Sequence, residues 1–159
     1  MVEVTGGIVM NAVPIIAALL AQAAPSDSAP VVKGAEFFTE DKRTAEPTVQ
    51  PGTRVPNRPD TSCYHWAVFV EPDQRSVRVR EAFKLPAPAR QWGTDPAVTE
   101  VIEDRSGAVT EFDDDLSDGL ISNGWCVAAG DPSGDHQIRV YIGDRLLHIF
   151  EFRVEPELY

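Results

Sequence analysis

Two stretches of the chain alternate strictly between polar and apolar residues: Arg75-Ser76-Val77-Arg78-Val79-Arg80 and His136-Gln137-Ile138-Arg139-Val140-Tyr141-Ile142. Successive side chains of a strand point to opposite faces, so this period marks half-buried β-strands and not amphipathic helix. Val77 and Val79 are expected on one face and Arg78 and Arg80 on the other, while Ile138, Val140 and Ile142 point inward. Gly143-Asp144 then supplies a two-residue hairpin signal in which Gly takes a positive φ. The last strand, Leu146 to Val154, sets Phe150, Phe152 and Val154 opposite Glu151 and Arg153. Upstream, the aromatic and β-branched run Cys63 to Val70 ends in the turn cluster Glu71-Pro72-Asp73-Gln74, which predicts a hairpin with the strand that follows. Trp125 to Ala129 runs into the turn residues Gly130 to Gly134, so a meander is expected from there to Val154.

Residues 95–112 admit two readings. Asp95 as N-cap, Pro96 in the first turn and Val98, Val101 and Ile102 at helical spacing describe a short helix. Alternatively, Asp104-Arg105-Ser106-Gly107 turns between strands at Val98–Glu103 and Ala108–Phe112, which agrees better with the β-branched content. About seven short strands and no long helical pattern predict an all-β fold, an antiparallel β-sandwich. The closing pattern Gly134-x-His136-x-Ile138-x-Val140-x-Ile142-Gly143, then Leu146 and Phe150-x-Phe152-x-Val154, resembles the last hairpin of small immunoglobulin-like domains of bacterial exported and envelope proteins. That resemblance implies an immunoglobulin-like sandwich with a binding or accessory role and no shared catalytic residues.

The N-terminal part reads differently. The apolar run Ala12 to Ala21 precedes Ala21-Gln22-Ala23, a small-x-small cleavage pattern, so residues 1–23 read as a signal peptide. The run is short of the about 20 residues that a membrane span needs. Glu3 and the lack of Lys or Arg before it depart from the usual leader, which leaves an uncleaved anchor or a buried apolar helix as alternatives. Residues 24–62, rich in proline, read as a loop or linker with a first strand at 31–38 and a long surface loop from Thr44 to Asp60. The sandwich is then expected over 63–159.

A content of 43% hydrophobic residues supports a packed core, and 25 acidic against 14 basic residues give a formal charge of −11. Such a surface repels phosphate backbones, so nucleic acid is not an expected partner, and a membrane is one only if the leader stays attached. Cys63 and Cys126, each beside an aromatic residue on a predicted strand, are expected to form a disulfide between the sheets, as suits a periplasmic or secreted protein. Closing a loop of this length would contribute about 4 kcal/mol. Both methionines, Met1 and Met10, lie in the leader, so thioether copper ligation is excluded from the mature chain.

No catalytic constellation emerges. His65, His136 and His148 lack zinc-motif spacing and read as structural; no metal or other cofactor is expected. The acidic run Glu111 to Gly119 fails the EF-hand pattern, since Asp118 stands where Gly is needed and Gly124 where the bidentate Glu belongs, and it reads as a solvated loop. There is no Gly-x-Ser-x-Gly elbow and no phosphate-cradling glycine loop. What remains is a basic and aromatic stripe, Arg75, Arg78, Arg80, Arg90 and Trp92, of residue types that anchor interfaces, and Leu147 with Ile149 on the outer face of the last strand. The expected function is a non-enzymatic exported protein that binds another protein or envelope component through these residues. The alternative is a small-ligand or metal-binding carrier or enzyme with its site at the histidines or at residues 113–118.

Overall fold

The computed structural model describes residues 28–156; the leader expected over residues 1–23 lies outside them. Among the described residues ten strands form two sheets. In chain order they are β1 (Val32–Asp41), β2 (Thr48–Pro51), β3 (Arg54–Pro56), β4 (Ser62–Val70), β5 (Ser76–Lys84), β6 (Thr99–Val101), β7 (Gly107–Asp115), β8 (Leu120–Cys126), β9 (Gly134–Ile142) and β10 (Arg145–Glu155). One sheet has the order β2-β1-β4-β8 and the other β3-β10-β9-β5-β7-β6. All pairings are antiparallel except β3 with β10.

The inward residues of the two sheets make one core. Phe37, Tyr64, Trp66, Val68 and Ile121 from the four-stranded sheet meet Val77, Val79, Phe83, Ile138, Val140, Phe150 and Phe152 from the other. Rings interlock across the interface: Phe37 and Tyr64 each lie 4.7 Å from Phe152, and Trp66 lies 5.7 Å from Phe150. Aromatic pairs at such offsets add to the burial of their area.

The alternating strands lie where the period put them. Val77, Val79, Ile138, Val140 and Ile142 are fully buried while Arg78 is exposed. The tight turn Gly143-Asp144 closes β9 onto β10 with Gly143 at φ 55°. Residues 99–115 form the hairpin β6–β7, with Val101 opposite Ala108, and not a helix. Asp95 keeps a capping role on a single turn, its carboxylate accepting the Ala97 N–H at 2.9 Å.

Four expectations are corrected. β4 and β5 are not a hairpin: they belong to different sheets, and the Pro72 turn carries the chain across the sandwich. Both strands have an apolar face, and crossing lets those faces bury each other instead of sharing one sheet. For the same reason β8 does not join a meander with β9 and β10. The folded unit also reaches back beyond residue 63. β1 lies between β2 and β4, and within the expected surface loop β3 buries Val55 completely against β10. Such a short edge strand tolerates Pro56, which has no N–H to donate to a ladder. Finally, a bulge between Leu146 and His148 breaks the alternation of β10, so Leu147 packs against the core while Ile149 is exposed.

Candidate functional site

The feature missed in the sequence is Glu81. Continuing the period of Val77 and Val79 sends it inward, and there it is fully buried. Its carboxylate accepts three N–H groups from the opposite sheet: Trp66 Nε1, Trp125 Nε1 at 2.7 Å and Asn123 Nδ2 at 3.3 Å. Donors of this kind favour the carboxylate, but burial in the sandwich outweighs them and raises its pKa above the ordinary glutamate value. Glu81 therefore ties β5 to β4 and β8 where a covalent link between the sheets was expected.

Trp125 has a second aspect, towards a cleft of about 550 Å³ between β8 and the β5–β7–β6 side of the other sheet. Phe83, Trp92, Trp125 and Tyr64 form its aromatic wall. Trp92 stands nearly perpendicular to both Trp125 (83°, 6.1 Å) and Phe83 (87°, 5.8 Å). Trp92 comes from the β5–β6 connection, which is pinned by one carbonyl of the β6–β7 turn. Arg105, at φ 60°, offers its oxygen to the Ala89 N–H at 3.0 Å and the Trp92 indole N–H at 3.2 Å. Both indole N–H groups that border the cleft are thus used within the protein. Asp60, Asp95 and Asp131 also line it, and among the described residues no Lys or Arg does. Burial raises the Asp131 pKa, and Asp131 with Glu81 and burial pushes the Tyr64 phenol up.

The predicted contact residues do not form one stripe. Arg78 lies on the outer face of the six-stranded sheet, neutralised by Asp113 at 3.1 Å and Glu111 at 3.5 Å on the neighbouring strand. Arg80 lies over the Tyr141 ring at 4.5 Å. Arg75 bonds Asp73 at 2.5 Å. Arg90 is exposed with its stem against Gly130, and Trp92 is in the cleft. Leu147 and Ile149 are separated by the bulge just described.

The acidic run is not a loop throughout, because Asp113 to Asp115 complete β7. Asp115 then accepts the Ser117 N–H at 2.7 Å and Asp118 the Leu120 N–H at 3.0 Å, so the turn uses these carboxylates as caps. The three histidines stay apart. His65 meets Glu40 at 2.8 Å; His136 is buried, its Nδ1 3.0 Å from the Gly134 carbonyl oxygen, with its pKa lowered by burial; His148 lies tilted against Phe150, ring centroids 4.5 Å apart. Among the described residues no group of three or more His, Cys, Asp or Glu is arranged to hold a metal.

Cys63 and Cys126 are joined, but within one sheet. They face each other directly on β4 and β8 with Cα atoms 3.9 Å apart. Tyr64 and Trp125, their aromatic neighbours, take the inward positions, which turns both sulfurs to the outer face. There Lys42 Nζ lies 3.8 Å from Cys126 Sγ.

Two sheets packed over an aromatic core, with chain crossings between them, define an immunoglobulin-like β-sandwich. Residues 35–155 match the model of the PM0630 beta sandwich domain, and the chain belongs to that family. Among solved structures it is similar to an immunoglobulin-like protein from Pseudomonas aeruginosa. The TM-score is 0.50 and the identity 15%, covering 82% of this chain and 99% of the other. No curated protein matches the chain.

Proposed function

We propose that this is a non-enzymatic binding protein of the periplasm or cell exterior, and that it grips another protein of the envelope through the cleft between β8 and the β5–β7–β6 side. The observation that carries this reading is the aromatic wall. Trp92 and Trp125 are the residue type most enriched at interface anchors, and they line an open cleft half-buried, each held by its indole N–H. The volume falls within the range of ordinary ligand sites. A disulfide suits an oxidising compartment, as does the leader-like run at residues 12–21.

Site-specific photocrosslinking tests the reading. A photoreactive residue at Thr94, on the cleft rim, is expected to give a discrete adduct in intact cells. The same group at Arg139, on the outer face of the six-stranded sheet, is expected to give none. Adducts from Arg139 alone would move the contact to that outer face and defeat the assignment of the cleft.

A further inference from the structure

Resting on that reading of the cleft, we propose that the group it receives is an organic cation: the ammonium or guanidinium head of a lysine or arginine side chain on the partner protein. Three features of the cleft select this chemistry. Among the described residues its charged lining is of one sign, Asp60, Asp95 and Asp131 with no basic residue beside them. Two of these carboxylates are held in place by the backbone, Asp95 by the Ala97 N–H at 2.9 Å and Asp131 by the Ala128 N–H at 2.8 Å. An anionic group entering here would meet uncompensated repulsion.

The second feature is what the tryptophans offer. Because the Trp92 N–H is bonded to Arg105 and the Trp125 N–H to Glu81, a ligand in the cleft meets the π systems of these rings and not their donors. Ring faces carry the negative end of the aromatic quadrupole and attract cations within about 6 Å of the centroid. Trp92, Trp125 and Phe83, set at steep angles to one another, form the partial walls of a cage. The third feature is Glu81. An acid oxygen accepting the Trp125 N–H leaves more electron density on that indole, with or without the acid's own proton, so Glu81 strengthens the ring it supports. At long range, a formal charge of −11 steers cations towards the protein.

The test uses the full chain, ¹⁵N-labelled, and a capped tripeptide, acetyl-Gly-Lys-Gly-amide, with its norleucine counterpart as the uncharged control. The three tryptophans give separate indole N–H signals. The lysine peptide is expected to shift those of Trp92 and Trp125 saturably and more than that of Trp66, which is fully buried. The norleucine peptide should bind about 10-fold more weakly, the scale of a partly desolvated cation–π contact plus a carboxylate. Asp60→Asn and Asp131→Asn keep an acceptor oxygen, and Asn tolerates the φ of 64° at position 60. Each is expected to weaken the lysine peptide several-fold without moving the free-state spectrum elsewhere. Equal binding of the two peptides would overturn the cation assignment while leaving the cleft as the binding site. No indole shift with either peptide would also overturn it, and the crosslink from Thr94 then decides separately whether the cleft is the contact.

Discussion

Glu81 makes the two sheets interdependent through bonds that an aliphatic side chain could not form. Replacing it with Ala leaves the buried Trp66 indole and the half-buried Trp125 indole and Asn123 amide without their acceptor. Buried donors left unpaired cost about 1–3 kcal/mol each. Glu81→Ala is therefore expected to lower the unfolding free energy by about 3–5 kcal/mol in urea titration, or to prevent folding. Glu81→Gln tests the protonation behaviour more gently. Because burial raises the folded pKa of Glu81, the native state holds its proton at pH values where the unfolded chain has lost it. Stability contributed by that proton is complete below the unfolded value and is lost as pH rises through the folded one. Relative to Glu81→Gln, the parent protein should thus lose stability as pH rises from about 4.5 towards neutral; a difference that grows in the opposite direction would refute the raised pKa. The inward aim of Glu81 was legible in the alternation of Val77, Val79 and Phe83. Its partners were not, since they lie 15 to 44 residues away on another sheet, and single-strand periodicity carries no information on which sheets face each other.

At the scale of elements, the run of acids between Asp113 and Asp118 acquires a purpose that composition alone did not reveal. The odd-numbered residues of β8 bond towards β4, as the Val127 N–H to the Ser62 carbonyl and the Val70 N–H to the Gly119 carbonyl require. The even-numbered N–H groups point away, along an open edge. Three of them are met by a side chain: Leu120 by Asp118 at 3.0 Å, Gly124 by Asn123 at 2.9 Å, and Ser122 by Asp114. Unpaired edge donors invite strand addition from other chains, and covering them blunts that route. The remaining outer strands are short, β2 with 4 residues and β3 and β6 with 3 each. The combined change Asp114→Ala and Asp118→Ala uncovers two of these three capped donors. It is expected to raise the weight-average mass in sedimentation velocity as concentration rises, relative to the parent; unchanged sedimentation would show that the caps do not guard this edge. Asp-x-Ser and Asp-x-Leu were visible in the sequence as turn chemistry, but which strand would be an edge depends on the crossings between sheets. Those crossings were read as hairpins because a turn cluster looks the same whether the chain doubles back beside itself or passes over the core.

For the molecule as a whole, the disulfide was legible as a pair, because two cysteines on predicted strands have one partner each. Its position was misread, although the correct signal was present: each cysteine adjoins an aromatic residue, and a period of two sends the aromatic inward and the sulfur outward. The sheets are joined by Glu81 and by packing, while the covalent bond staples β4 to β8 from outside. This division predicts how the protein responds to loss of the bond. Removing it restores chain entropy to the unfolded state, by about 4 kcal/mol for a closed loop of 63 residues, and takes away few native contacts. The double variant Cys63→Ala, Cys126→Ala should accordingly show a urea midpoint lowered by about that free energy. At low urea, where it is folded, its three indole N–H signals should remain near their parental positions, because the Glu81 bonds and the Arg105 carbonyl hold Trp66, Trp92 and Trp125 independently of the sulfurs. A variant that folds but loses the Trp92 and Trp125 shifts would mean that the staple shapes the cleft, and would move the disulfide from the fold's stability to its binding surface.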